Sequence, residues 1–354
     1  MFILIQSYIG FLYRGEVKNL TYQQVFTSWK SRFSGILLVA IVAIIANYLG
    51  GKFPLIGGIL FAILIGIIVK NTVGISNTFN LGLNFAVKKL LKFAVILLGV
   101  SLNLNAILKI GQQSLLVVLA SVILGIGLTV LFGKLLKLDK TLTLMIGVGT
   151  SICGATAISC VKGILEAKDD ETAYAISTIV FFNLMAFFVY PVVGHFFQFG
   201  ALPFGIWAGT AVHDTSSAVA VGFAYSNEAG EIATTVKLAR TLFLLPLIMI
   251  LPFLMNNRKK GSVKESIKNA FPWFIVWFLL MSIFNSIGWV PVKVQDISND
   301  AAKFMIVMVM GAVGMQVNLK GFAKLGIKPF LTGLFASITV SAVSLLMIYY
   351  LQIK

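Results

Sequence analysis

Stretches of about 20 mostly apolar residues recur along almost the whole chain, and each is long enough to span the roughly 30 Å hydrocarbon core of a bilayer as a helix. That recurrence makes the chain an all-α, polytopic integral membrane protein. Composition agrees: of 354 residues, 58% are hydrophobic and only 11% charged, against about 45–50% apolar and 25% charged in ordinary globular domains. No soluble domain of useful size is left over.

Hydropathy, broken at Gly, Pro and charge, gives about eleven candidate spans, near 34–50, 53–70, 86–104, 113–133, 141–165, 172–196, 203–226, 231–254, 270–289, 298–316 and 329–352. Residues 34–354 form the transmembrane domain, and residues 1–33 are expected to lie as an amphipathic segment on the cytoplasmic surface. The opening "MFILIQSYIGFLYRGEV" has no basic n-region and no small-residue cleavage site, so no signal peptide is expected. A net charge of +16 would suggest nucleic acid in a soluble protein. Here the basic residues mark the cytoplasmic side instead, and no nucleic-acid partner is expected. With the N-terminus cytoplasmic, nineteen basic residues fall inside and seven outside, which favours an odd number of spans and an external C-terminus. The "KDDE" run at Lys168–Glu171 then reads as an external loop, and "NNRKKGSVKESIK" from Asn256 as a cytoplasmic one.

Two internal similarities stand out. Gly99, Asn103, Leu104, Lys109 and Gly111 match Gly314, Asn318, Leu319, Lys324 and Gly326 at a constant offset, on spans running in opposite directions, as inverted repeats require. "GTSICGATAIS" from Gly149 also aligns with "GTAVHDTSSAVAV" from Gly209, and the match continues through Glu171 with Glu231. This second pair would be parallel in this topology, so the two similarities do not fit one duplication.

The same segments carry the candidate chemistry. In "MIGVGTSICGATAISC", Gly147, Gly149 and Gly154 interleave with Thr150, Ser151, Thr156 and Ser159. Glycines allow a helix to unwind inside the membrane, where freed amides and hydroxyls hold an ion; close packing through small residues is the plainer alternative. If the seventh span begins at Pro203, His213 and Asp214 lie about 15 Å deep at 1.5 Å per residue, with Thr210, Thr215, Ser216 and Ser217 around them. Ionisable groups at that depth suggest function, although a His–Asp pair tying helices together would look the same. On the next span Lys237 and Arg240, three apart, share a face. Lys237 has the option of snorkelling outward. Arg240 is too deep for that and offers a rigid fork suited to an oxyanion, or a salt bridge to Asp214. Asn183, Ser101, Asn103, Gln316 and Asn318 are further polar candidates, with helix capping the simpler role for Asn103 and Asn318. Cys153 and Cys160, seven apart on one helix face, cannot bridge each other. His195 and His213 are too few and too far apart for a zinc site, so no metal, cofactor or enzymatic centre is expected.

With "GTSICGATAIS", "GTAVHDTSSAVAVGFAYS" and "EIATTVKLARTLFLLP" in this order, residues 34–354 resemble the YeiH-like sulfate exporter family of bacterial inner-membrane proteins. The resemblance implies a fold related to the bile acid symporter and cation/proton antiporter superfamily, with inverted repeats and discontinuous helices crossing near the midplane. It also implies export of a small sulfur oxyanion. Many relatives carry Glu after the histidine where this chain has Asp214.

Together these observations predict a secondary transporter working by alternating access. Thr150, Ser151, Cys153, Gly154, Thr210, Thr215, Ser216, Ser217, Lys237 and Arg240 would bind the anion, and His213 and Asp214 would couple its movement to H⁺ or Na⁺. A cation/proton antiporter using Asp214 and an anion channel are the alternatives. The bilayer and the anion are the expected partners, with a homodimer suggested by analogy alone.

Overall fold

The computed structural model describes residues 22–53, 57–254, 271–322 and 326–353, and every regular element among them is helical. In chain order these are α1 (Tyr22–Lys52), α2 (Gly57–Thr72), α3 (Asn77–Phe85), α4 (Leu91–Ser101), α5 (Leu104–Leu135), α6 (Lys140–Ser151), α7 (Ala155–Leu165) and α8 (Asp169–Phe196). There follow α9 (Ala201–Ala211), α10 (Thr215–Tyr225), α11 (Asn227–Leu242), α12 (Leu244–Leu254), α13 (Trp273–Ser286), α14 (Val292–Gln316), α15 (Leu319–Phe322) and α16 (Ile327–Tyr350). A π-turn, Ala86–Leu90, joins α3 to α4. Six of these rods, α1, α5, α8, α11 with α12, α14 and α16, are long and apolar enough to cross a membrane.

Lipid is the solvent these helices are built for. On α1, Val39, Val42, Ala43 and Ala46 are buried while Leu37, Ile41, Ile44 and Tyr48 face outward. Such a helix, apolar on both sides, has no face suited to water. Trp273 and Trp289, exposed at the two ends of the α13 region, are placed as interfacial anchors are.

The helices pack as two bundles. One joins α1, α2, α3, α4, α13 and α14; the other joins α5 through α11 with α16. The principal contacts between them run from α10 to α2 and α14, and from α13 to α5. Ala94 and Leu98 of α4, Val219 of α10, and Ala302 and Ile306 of α14 form one dry cluster across that boundary.

Within the second bundle two expected spans, 141–165 and 203–226, are not straight. A methyl group placed on Gly205 and one placed on Gly222 would each lie 2.9 Å from the same atom, the carbonyl oxygen of Ala229. Along a straight helix those two positions would stand about 25 Å apart. The rings of Phe204 and Tyr225 also stack at 3.8 Å between centroids, and the Tyr225 hydroxyl donates to the Phe199 carbonyl. Helices α9 and α10 therefore form a hairpin whose tip is Val212–Asp214, lying against α11 along both arms. Helices α6 and α7 also fold back: a methyl on Gly149 would lie 3.0 Å from Cγ1 and Cδ1 of Ile158, where a straight helix would separate the residues by about 13 Å. Its tip is Ile152–Gly154.

The two hairpins are built to one plan. Their first arms end at Ser151 and Ala211, their second arms start at Ala155 and Thr215, and those arms end at Leu165 and Tyr225, a constant displacement of 60 residues. The helices that follow them, α8 and α11, run in opposite directions. Tyr190 stacks on Trp207 at 4.3 Å and Gly194 meets Phe204, so α8 is antiparallel to α9; Gly205 meets Ala229 and Gly209 meets Ala233, so α9 is parallel to α11.

The expectation of about eleven spans is thus altered at two of them, because a hydropathy window counts apolar residues without sensing a reversal, and the discontinuous helices expected to cross near the midplane are instead hairpins that turn back on themselves. Of the expected N-terminal amphipathic segment, residues 1–21 lie outside the described residues, and from Tyr22 the chain is helical and continuous with α1. The basic loop from Asn256 also lies outside them.

Candidate functional site

The hairpin tips meet each other. A methyl group on Gly154 would sit 3.3 Å from Cα and Cβ of Asp214. Gly154 has φ +66° and ψ −135°, a conformation that side-chain-bearing residues rarely adopt, so the turn itself calls for glycine here, and the neighbour leaves little room for more. Gly154→Val is expected to destabilise the protein by about 1–3 kcal/mol through strain alone, read as a lower melting temperature in detergent. A variant melting with the wild type would show that residue 154 does not hold this backbone conformation.

Four helix ends converge at this point. Two are C-terminal, those of α6 and α9, and they carry carbonyls without intrahelical donors as well as partial negative charge. Both are closed from α11. Lys237 Nζ donates to the carbonyls of Ile152 at 3.0 Å, Val212 at 2.7 Å and His213 at 2.5 Å. Arg240 donates through Nε to the Ser151 carbonyl at 2.7 Å, through Nη1 to Val212 at 3.1 Å, and through Nη2 to the Thr150 carbonyl. Both cations are 0% exposed. Three acceptors around Lys237 match the three N–H bonds of an ammonium, where a neutral amine has two.

Snorkelling of Lys237 is therefore not what the chain uses, and Arg240 makes no ion pair with Asp214, its donors being taken up by carbonyls; a salt bridge that does form, Lys162 to Asp169 at 2.5 Å, lies on the surface. The guanidinium and ammonium face helix C-termini because those carbonyls supply partial negative charge and a fixed geometry within reach of α11. Spacing of Lys237 and Arg240 on one face could be read in the sequence. Their partners, being backbone atoms, leave no trace in residue identity.

The other two ends are N-terminal. Helix α7 starts at Gly154 with no side-chain cap, and Ala155 and Thr156 are accessible at its mouth. At α10 the cap is Asp214, whose Oδ2 accepts from the Ser216 amide at 3.0 Å and from the Ser216 hydroxyl. Asp214 and Thr215 are half-buried. Asn183 of α8 fixes this tip, its Oδ1 accepting from the amides of His213 and Asp214 at 3.1 Å each.

The remaining candidates divide. Thr150, Ser151 and Cys153 are buried at the first tip and contribute carbonyls or bulk. Thr210 turns its hydroxyl back onto the Ile206 carbonyl at 2.6 Å, away from the tips. Ser216 and Ser217 are buried behind Asp214 in the first turn of α10. The His213 ring is buried and Nε2 lies 2.8 Å from Ser337 Oγ on α16. His213 and Asp214 thus point to different neighbours, and the ring does not reach Ser216. Ser337 carries no signal in the sequence, being one hydroxyl among several on an apolar helix. Asn103 caps α5, accepting from the Asn105 amide at 2.8 Å, and Gln316 bonds Asn84 at 3.3 Å, so neither reaches the tips.

Comparison with known proteins agrees with the membrane architecture. Residues 34–333 match the family described as Conserved hypothetical protein 698. A UPF0324 membrane protein of Clostridium tetani is 38% identical over 328 residues, covering 88% of this chain and 95% of that protein. One of Streptococcus agalactiae is 38% identical over 328 residues, covering 90% and 97%, and one of Fusobacterium nucleatum is 35% identical over 335 residues, covering 89% and 97%. Matched along nearly its whole length, the chain belongs to the UPF0324 membrane protein family, of which the YeiH-like proteins are part.

Proposed function

We propose that this protein is a secondary transporter that moves a small oxyanion of the sulfur type across the bacterial inner membrane by alternating access, with its site where the two hairpin tips meet. The observation that carries the reading is the charge balance there. Lys237 and Arg240 are fully buried, two helix N-termini point into the same region, and the nearby carboxylate is that of Asp214. An anion entering at Ala155, Thr156 and Thr215 would meet helix dipoles directly and the two cations through the carbonyls they neutralise. Lys237 and Arg240 act as clamps that hold both tips, rather than as ligands. Thr156, not among the residues singled out by the sequence for binding, joins the site on its exposure.

In this reading the chain crosses the membrane nine times and the hairpins enter from opposite sides without crossing. Helices α6–α8 and α9–α11 are inverted repeats, supported by the displacement of 60 residues and by the opposed courses of α8 and α11. The parallel relation suggested by straight spans disappears, and Lys162 and Lys168 join the cytoplasmic side with Lys134, Lys137 and Lys140, in keeping with the basic bias. The N-terminus is then cytoplasmic and the C-terminus external. The dry cluster of Val219 with Ala94, Leu98, Ala302 and Ile306 closes the outer side, while Thr156, Ser159 and Gly163 along α7 are exposed toward the inner one. Coupling to H⁺ or Na⁺ falls to Asp214 and His213, and a homodimer is the proposed assembly.

Purified full-length protein in liposomes tests this. Uptake of radiolabelled sulfite or sulfate is expected to saturate and to rise severalfold when unlabelled anion is loaded on the opposite side. Flux that neither saturates nor responds to the trans anion would indicate a channel. Na⁺/H⁺ exchange without any oxyanion flux would replace the reading by a cation/proton antiporter built on Asp214.

A further inference from the structure

We infer that the transported anion keeps a proton: it is the monoanion of a weak oxyacid, of the hydrogensulfite class, which donates its O–H to Asp214, and Asp214 discriminates against fully ionised dianions such as sulfate. This rests on the anion-transporter reading above and names the substrate class of the same site.

The two carboxylate oxygens of Asp214 have different surroundings. Oδ2 is committed to its own helix, accepting from the amide and hydroxyl of Ser216. No hydrogen bond within the protein occupies Oδ1, which points across the gap to the other hairpin, 3.4 Å from where a methyl on Gly154 would stand. The residue is half-buried, so this oxygen is reachable. An anion lying between the N-termini of α7 and α10 is consequently placed against an acceptor. A ligand with only acceptor oxygens would set lone pairs and like charge against Oδ1, whereas one with an O–H would complete its hydrogen bonding. Sites that hydrogen-bond a ligand hydroxyl reject analogues lacking it far more strongly than apolar pockets reject a misfit.

The groups facing Asp214 do not relieve this conflict. From the first hairpin comes Cys153; from α11 come Lys237 and Arg240, whose N–H bonds already point at Thr150, Ser151, Ile152, Val212 and His213 carbonyls. From α8 comes the Asn183 amide, which holds backbone N–H groups, with Tyr190 farther along that helix; the His213 ring is turned to Ser337. None of them donates a hydrogen bond to Oδ1.

The test is equilibrium binding of radiolabelled sulfite and sulfate to the purified full-length protein, from mildly acidic to mildly alkaline pH. Wild type is expected to prefer sulfite by at least about a hundredfold at acidic pH, and to lose that affinity as hydrogensulfite ionises. In Asp214→Asn, whose amide is able to donate, sulfate affinity should rise by at least about tenfold and the preference should collapse. Equal binding of sulfate and sulfite by wild type, independent of pH, would overturn the inference and leave the anion reading standing; that arm needs no variant. Asp214→Asn with unchanged discrimination would overturn it too. If wild type binds neither anion at any pH, the anion reading itself fails along with it.

Discussion

Replacing Arg240 by methionine is expected to destabilise the folded protein strongly, not merely to weaken anion binding. The side chain is 0% exposed and donates to three carbonyls, those of Thr150, Ser151 and Val212. These belong to helix C-termini and have no donor from their own helix. The Val212 carbonyl keeps Lys237 as a donor, but those of Thr150 and Ser151 lose theirs; at about 1–3 kcal/mol for each buried carbonyl left without a partner, the two together reach the lower end of the 5–15 kcal/mol that typically separates folded from unfolded protein. The loss should appear as a collapsed monodisperse peak in detergent and as a strongly lowered melting temperature. Arg240→Lys keeps the charge but not the planar fork, and should melt between the two. If Arg240→Met melts with the wild type and loses only oxyanion binding, the guanidinium is a ligand and the clamp is wrong.

The second large effect concerns sidedness. With cysteines introduced at Lys168, Gln198 and Asn227, an impermeant maleimide applied from outside is expected to label Gln198→Cys and Asn227→Cys fully and to leave Lys168→Cys untouched, together with a Lys137→Cys control. All four positions lie outside the hairpins, and native Cys153 and Cys160 are buried, which keeps background low. Straight spans at 141–165 and 203–226 predict the reverse at two positions, Lys168 labelled and Gln198 protected. Labelling is all or none across a sealed membrane, so that pattern would remove the hairpin topology and the inverted repeats built on it.

Much of the site was legible because intramembrane charge is rare and costly enough to be conspicuous. Lys237, Arg240, His213 and Asp214 stand out from an apolar background, and Gly154 is marked by the glycine-hydroxyl run around it. Their pairing was not legible. Arg240 has a carboxylate, Asp214, as its evident partner in the sequence, yet it binds carbonyls, which every residue carries alike. Thr210 looks like a ligand and bonds its own helix instead, because a hydroxyl four residues along from a carbonyl has a partner already in place. Asn183 and Ser337, which hold the second tip, lie 30 and 124 residues from His213, and no local pattern joins them to it.

The sequence by itself determined the solvent and the helical class, and it marked the glycine run from Gly147 to Gly154 as a place where a helix is able to open, since hydrophobic length and glycine act within a few residues of one another. Only the tertiary structure decided whether the chain continues or turns back at each break. A straight crossing and a hairpin use the same apolar residues, and what separates them is the closure of the exposed carbonyls by Lys237 and Arg240 from a neighbouring helix, together with close approach along α11 at Gly205 and Gly222. Those are contacts between segments, and they set the direction of every helix that follows.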